Sequence, residues 1–203
     1  MHNPTSPTLA PPSARGVELV RRLAAPVLFA ALVALGGQVR VPIPGNPVPL
    51  TLQVVFVLLA GAWLAPRAAA LSMALFLTVG AAGAPVFADG RFGAAHLLGP
   101  TGGYLTGFIA GAAVCSLLLR GRRDSLVRTA ASMAAGVAAI HLIGALHLGI
   151  YLGSFQAAAL FADDFLLMDI VKVAAAATIV SGSSGVFSAG ANRGNRPGAA
   201  GAP

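Results

Sequence analysis

Apolar residues form long runs along this chain, and short polar segments separate one run from the next. Runs close to the 17–25 residues or so that carry a helix across a bilayer occur at about 22–39, 51–65, 67–83, 101–119, 129–153 and 165–183. The runs are apolar on every face, as expected where lipid is the solvent and each backbone group must be satisfied within the chain. The pattern predicts an all-α membrane protein with six transmembrane helices, formed by residues 19–190 as one domain.

Only Ala65-Pro66-Arg67 separates the second run from the third. A tight helical hairpin and a single long helix kinked at Pro66 both fit this pattern, because proline breaks or bends a helix. The hairpin is the favoured interpretation.

Composition agrees with a membrane protein. The chain is 57% hydrophobic and only 9% charged, whereas a soluble domain carries about 25% charged residues. The net charge of +7 comes from short basic clusters between the apolar runs, not from one face, which argues against a nucleic-acid partner. Cys115 has no second thiol in the chain with which to pair, so we expect it to pack in the core.

Positive residues predict the orientation, because they collect on the cytoplasmic side of membrane proteins. With the N-terminus inside, only Arg40 and Arg91 fall outside and Lys172 lies within a span. The arginines that fall inside are Arg15, Arg21, Arg22, Arg67, Arg120, Arg122, Arg123, Arg128, Arg193 and Arg196. Both termini are therefore predicted to be cytoplasmic. Residues 1–18, which begin with a proline-rich stretch, and the Gly/Ala/Pro-rich residues 191–203 are predicted to be disordered.

The single lysine of the chain, Lys172, lies three residues after Asp169 within the sixth apolar run. Either charge at the centre of a membrane helix costs about 2.5–3.5 kcal/mol, so such a pair is expected to have a use. Three residues along a helix place the two side chains about 60° apart on one face. We therefore expect Asp169 and Lys172 to meet the same small molecule, in the outer part of the membrane.

Two outer loops interrupt the apolar pattern. The proline segment, residues 41–50, has four prolines among residues 42–49, so it is extended, and its apolar side chains favour a lid over an exposed linker. Gln53 follows it, where its amide could face a ligand or another helix. The second loop, residues 83–103, leads into glycines at positions 103, 107 and 111, a spacing that favours close helix packing.

On these motifs the chain resembles the BioY proteins, the biotin-binding S components of energy-coupling-factor (ECF) transporters. The resemblance rests on residues 42–51 with Gln53, on Gly99-Pro100-Thr101-Gly102-Gly103-Tyr104, and on Asp169-x-x-Lys172, in this order. It implies a vitamin-binding subunit that is not an enzyme, in the cytoplasmic (plasma) membrane of a prokaryote. Its implied partners are a transmembrane coupling subunit and two ATPase subunits. Ala30 and Ala34 match the small-residue spacing that these S components use against the coupling subunit, although internal packing explains the spacing equally well.

The implied ligand is biotin, with no cofactor and no metal. Its ureido group, apolar ring and chain, and carboxylate require an acceptor, a donor, an apolar wall and a cation. The residues predicted to bind it are Asp169, Lys172, Arg91, Gln53, Asn46, Thr101, Tyr104 and Tyr151. The wall is expected from Phe87, Phe92, Tyr104 and Tyr151, whereas His141 and His147 are expected to be satisfied by packing within the membrane.

Three other functions stay open at this point. The chain could bind a different vitamin as an S component, or it could be a proton-coupled carrier with Asp169 as the proton site. An intramembrane enzyme fits less well, because the apolar runs contain one acidic residue and the chain lacks HExxH and GxSxG motifs.

Overall fold

A computed structural model of the chain describes residues 14–193, with side chains placed for residues 22–161 and 164–183. Helices dominate the described part. They are α1 (Ala14–Gln38), α2 (Gln53–Trp63), α3 (Pro66–Ala81), the short α4 (Ala94–Leu97), α5 (Gly102–Leu119), α6 (Leu126–Leu152) and α7 (Phe155–Arg193). A 3-10 turn at Ala88–Gly90 precedes α4, and two short strands, β1 (Arg40–Val41) and β2 (Leu50–Thr51), follow α1.

Three segments of the described residues are long and apolar enough to cross a membrane: Gly102–Leu119, Leu126–Leu152 and Asp164–Ser183. Three further apolar helices are shorter: Arg22–Gln38, Gln53–Trp63 and Pro66–Ala81. The 11 residues of α2 rise only about 16 Å as a helix, about half the thickness of a hydrocarbon core. The helical membrane-type architecture is therefore confirmed, whereas crossing by all six helices stays a prediction.

The chain breaks between α2 and α3. Leu64 and Ala65 both have extended backbone, and Pro66 opens α3, where its missing N–H costs no helical hydrogen bond. Two separate helices are therefore present, as the hairpin requires, and the single helix kinked at Pro66 is excluded.

Glycines allow α5 and α6 to pack closely. A Cβ added at Gly103 would lie 2.2 Å from the His147 Cβ, and one added at Gly107 would lie 3.0 Å from the Ile140 carbonyl oxygen. At Gly111 an added Cβ would lie 2.5 Å from the Ile140 side chain. The packing role predicted for the three glycines is thus confirmed, and it brings the residues of α5 and α6 that face the site together.

The two ends of the proline segment are paired with each other. β1 and β2 pair antiparallel, with Arg40 opposite Thr51 and Val41 opposite Leu50. Val48, near the tip, is buried in the apolar core. The segment therefore packs on protein, as expected of a lid and not of an exposed linker.

Helical backbone reaches further toward both ends than composition indicated. α1 begins at Ala14 and α7 ends at Arg193, so residues 14–18 and 191–193 are helical and not irregular. Proline content explains the first difference, because no proline lies between Ala14 and Pro26 to interrupt the start of α1. The rest of both predicted disordered ends lies outside the described residues.

Candidate ligand-binding site

A cavity of about 330 Å³ lies beneath the proline segment, among α2, α5, α6 and α7. This volume is within the range of small-molecule sites. Its lining residues are Arg40, residues 47–51, Gln53, Val54, Ala88, Asp89, Arg91, Ala95, His96, residues 99–101, Tyr104, Leu105, Phe108, Val137, Ile140, His141, Phe165, Asp169 and Lys172. Most of the wall is apolar, so the few polar side chains decide what the cavity binds.

Asp169 is the buried polar centre of the cavity. Lys172 donates from Nζ to Asp169 Oδ1 across 3.1 Å, and His141 Nε2 is hydrogen-bonded to the other carboxylate oxygen. The side chains of Asp169 and Lys172 are only 8% and 11% exposed. The two charges share one face of α7, as the helical spacing predicts, and both face the cavity.

The two histidines of α6 differ in a way that the sequence did not indicate. His147 Nε2 lies 2.9 Å from the Gly99 carbonyl oxygen, so it is satisfied by packing as expected. His141 Nε2 is satisfied in the same sense, by Asp169, but His141 also lines the cavity, which the expectation of packing alone did not include. A buried carboxylate attracts more than one donor, which is the only signal that could have indicated a partner for Asp169 beyond Lys172.

Tyr104 is wedged between α6 and α7. Its ring lies edge-on to His141 at 5.7 Å and contacts Phe165 at 5.9 Å between centroids. Gly144 provides the space, since a Cβ there would lie 2.4 Å from the Tyr104 ring. The buried atoms of cavity-lining residues that have no hydrogen-bond partner among the described residues include the Tyr104 hydroxyl and the Gln53 side-chain nitrogen, and Nδ1 of His141 is a third. Leaving such groups unpaired costs free energy, so all three are suited to bind a polar ligand.

The Gly-Pro-Thr-Gly-Gly-Tyr string forms a turn and the start of α5. The Gly102 amide donates to the Gly99 carbonyl oxygen at 3.0 Å, with Pro100 at the second position of the turn, where its fixed φ is favoured. Gly102 must lack a side chain, because a Cβ there would lie 1.7 Å from the Leu97 carbonyl oxygen. The turn places Thr101 at the cavity, as predicted, with its hydroxyl 3.3 Å from His96 Nε2.

Charged residues surround the side of the cavity formed by the outer loops. Arg40 of β1 forms an ion pair with Asp89 in the 3-10 turn, which joins the proline segment to the second loop. Arg91 is exposed and lines the cavity, so it can reach a carboxylate there. Burial, followed by the positive charge of Arg91, lowers the pKa of His96 from its ordinary value.

Two predicted ligand residues do not line the cavity. Asn46 is held elsewhere: its Nδ2 donates to the Phe161 carbonyl oxygen at 3.0 Å and to Asp164 at 2.9 Å, and its Oδ1 accepts from the Val48 amide. It fastens the proline segment to α7. Tyr151 is 54% exposed near the end of α6.

The aromatic wall is also different from the predicted one. Phe92 is 60% exposed, and the buried Phe87 packs against Phe76 and stacks on His96. Phe108 and Phe165 supply the aromatic surface instead, together with Tyr104. Both come from the faces of α5 and α7 that turn toward the cavity, and the sequence alone does not fix how these helices are rotated.

Ala30 and Ala34 are partly buried and pack against the core of the chain itself. Internal packing therefore accounts for at least part of their small size.

The fold and this cavity define a helical membrane-type protein with an internal cavity of a size typical of small-molecule sites. The model of the BioY family matches residues 6–189. Residues of this chain are 38% identical over 161 residues to the biotin transporter BioY of Thermotoga maritima, covering 79% of this chain and 94% of that protein. They are 42% identical over 152 residues to the probable biotin transporter BioY of Pyrococcus horikoshii, covering 75% and 89%. The chain belongs to the BioY family.

A solved structure supports the same fold. The chain is similar to the S-component for biotin from an ECF-type ABC transporter, with a TM-score of 0.75 and 24% sequence identity over 81% of this chain and 91% of the other. The relatives and the apolar helices together indicate a multi-pass membrane protein.

Proposed function

We propose that this chain is the biotin-binding membrane subunit of an uptake transporter, and that it works with a transmembrane coupling subunit and two ATPase subunits. The observation that carries the proposal is the buried Asp169–Lys172 pair in a cavity roofed by the proline segment. The names of the relatives supply the ligand. The chain contributes recognition, and ATP hydrolysis belongs to the partner chains.

The cavity offers what each part of biotin requires. Asp169 accepts from the ureido N–H groups, and Lys172 donates to the ureido carbonyl oxygen or to the carboxylate. Gln53 and Tyr104 each supply a buried polar atom that has no partner among the described residues. Phe108 and Phe165 face the thioether ring and the alkyl chain.

The carboxylate of biotin needs a cation, and Arg91 and Lys172 are the two candidates, while Arg40 of the lining forms an ion pair with Asp89. Arg91 can bind it with two parallel hydrogen bonds, because its guanidinium matches a carboxylate in shape. Lys172 is the alternative, and it would then leave the ureido group to Asp169. Titrating wild type and Arg91→Gln with biotin and with its neutral amide separates the two. If Arg91 binds the carboxylate, Arg91→Gln should weaken the binding of biotin and leave the binding of the amide unchanged. If Lys172 binds it, Arg91→Gln should bind biotin as wild type does.

The arginine distribution supports an orientation in which both termini are cytoplasmic and the cavity opens outward. Biotin would then enter beneath the proline segment from outside, in the cytoplasmic membrane of a prokaryote.

Ligand identification and uptake test the proposal together. Protein purified in mild detergent is heated to release small molecules, which are identified by mass spectrometry, and the emptied protein is then offered a mixture of vitamins. Selective retention of biotin is expected, and retention of another vitamin would move the assignment within the transporter class. Uptake of labelled biotin should require the coupling and ATPase subunits, whereas uptake by this chain alone that follows an imposed pH gradient would favour a proton-coupled carrier.

A further inference from the structure

Each carboxylate of the cavity lining is paired with a cation that also lines the cavity. Asp169 accepts from Lys172, and Asp89 forms an ion pair with Arg40. Arg91 lines the same cavity but forms no ion pair within the part of the chain that the structure describes. The aspartates, lysine and arginines of the lining therefore leave one positive charge uncompensated.

A closed turn holds Asp89 and Arg91 two residues apart at the cavity. The Phe87 amide donates to the Arg91 carbonyl oxygen at 3.0 Å, and the Arg91 amide donates to the Ala88 carbonyl oxygen at 3.3 Å. Arg40 reaches Asp89 from β1. The carboxylate thus lies close to one arginine in the sequence and is bound by the other.

The backbone at Asp89 does not by itself require a carboxylate. Its φ of 64° lies in the left-handed region, which asparagine and glycine also adopt. The negative charge is therefore a property of this position that can be removed without straining the turn.

We propose that Asp89 sets the charge specificity of the cavity: by pairing with Arg40 it withholds that arginine from the ligand and matches the cavity to a single negative charge. The inference rests on the proposed function, because biotin carries one carboxylate. Without Asp89, Arg40 and Arg91 both face the ligand, and the cavity favours a dianion. Without Arg40, Asp89 is released to pair with Arg91 and competes with the carboxylate of the ligand.

A purely mechanical role for the ion pair makes different predictions. If the pair only fastens β1 to the second loop, breaking it affects every ligand alike. If it sets the charge, the effect follows the charge of the ligand and weakens in salt. The side chains of Arg40 and Asp89 are 38% and 34% exposed, so water screens them and the expected changes are modest.

A cycle of variants separates charge from fastening. Asp89→Asn and Asp89→Gly remove the carboxylate and suit the left-handed backbone, and Arg40→Gln removes its partner. The double variant Arg40→Gln/Asp89→Asn lacks the ion pair but restores the original charge of the lining. Asp124→Asn is the matched control, because it makes the same change in net charge at a residue that pairs with Arg128 outside the lining.

The test is calorimetric titration of monodisperse protein at neutral pH with three ligands that share the biotin ring. They are the neutral biotin amide, biotin, and a biotin analogue whose chain ends in a malonate group with two carboxylates. Asp89→Asn and Asp89→Gly should each bind biotin about two- to fivefold more tightly and the malonate by a larger factor, with the amide within about twofold of wild type. Arg40→Gln should bind biotin about two- to fivefold more weakly, and the double variant should return to within about twofold of wild type. These differences should shrink between about 50 mM and 500 mM salt.

The same change for all three ligands in Asp89→Asn, or a double variant as weak as Arg40→Gln, would show that the pair only fastens the loops and would overturn the proposal. Unchanged binding in every variant, or an equal response in Asp124→Asn, would overturn it as well. Absence of biotin binding by wild type would overturn the proposed function, and the inference with it. Asp89→Gly gives an answer even where Asp89→Asn does not fold, because glycine adopts a positive φ without strain.

Discussion

Lys172 donates to Asp169 across 3.1 Å from one turn further along the same helix. Both side chains are almost fully buried, at 11% and 8% exposure. Each would be costly alone, and the short separation lets each compensate the other. A pair of this kind gives a ligand one acceptor and one donor side by side.

Asp169→Asn and Lys172→Ala should each weaken biotin binding by about 1.5–3 kcal/mol, which is one to two decades in Kd, because each removes a charge-assisted hydrogen bond. Calorimetric titration in detergent measures both. Asp124→Asn is the matched control: Asp124 is 74% exposed and pairs only locally with Arg128, so binding should be unchanged. Wild-type affinity in Asp169→Asn and Lys172→Ala would mean that the pair is structural.

The two tyrosines of the chain form a natural comparison. The Tyr104 hydroxyl is buried at the cavity without a partner among the described residues, whereas Tyr151 is exposed and lies outside the lining. Tyr104→Phe should raise the Kd for biotin about two- to tenfold, the scale of one neutral hydrogen bond. Tyr151→Phe should bind as wild type does. The reverse order of effects would show that the ligand lies further along α6.

Close packing of α5 on α6 should be sensitive to a single methyl group. Gly103→Ala would place a Cβ 2.2 Å from His147 and 2.9 Å from the Ile143 carbonyl oxygen, and overpacking of this kind costs about 1–3 kcal/mol. A lower thermal unfolding midpoint in detergent is expected. Gly182→Ala on α7 is the control, because nothing lies within 4 Å of the added Cβ and alanine favours a helix over glycine. Equal midpoints in the two variants would contradict the packing.

Orientation can be tested with an impermeant thiol reagent. The buried Cys115 is first replaced by alanine, and a single cysteine is then placed at Phe92 or Asp124, both exposed. In intact cells Phe92→Cys should react. Asp124→Cys should react only after permeabilisation, because the arginine-rich connection between α5 and α6, in which Asp124 lies, is predicted to be cytoplasmic. The opposite pattern would invert the membrane orientation and place the cavity on the inner side.

Local sequence relations predicted a large part of the fold and of the site. Asp169 and Lys172 are three residues apart on one helix, so helical geometry alone brings them together. The glycines of α5 mark a close helix contact for the same local reason. Pro66 predicted a break between two helices, because proline is tolerated in the first turn of a helix and not in its interior.

Relations between helices were not readable in the same way. His141 and Asp169 meet only because α6 and α7 pack with particular rotations, and nothing within either helix specifies those rotations. Asn46 was predicted to bind the ligand, but its amide is occupied by Phe161 and Asp164. A polar side chain in a lid can fasten the lid or contact the ligand, and only its neighbours in three dimensions distinguish the two.

Calorimetric titration of biotin into purified wild-type protein emptied of ligand tests the central claim most directly. One-to-one binding with a submicromolar Kd is expected for the intact cavity, with other vitamins failing to compete. Folded, monodisperse protein that shows no submicromolar binding of biotin would contradict the assignment of biotin to this cavity, while leaving the fold and the family unaffected.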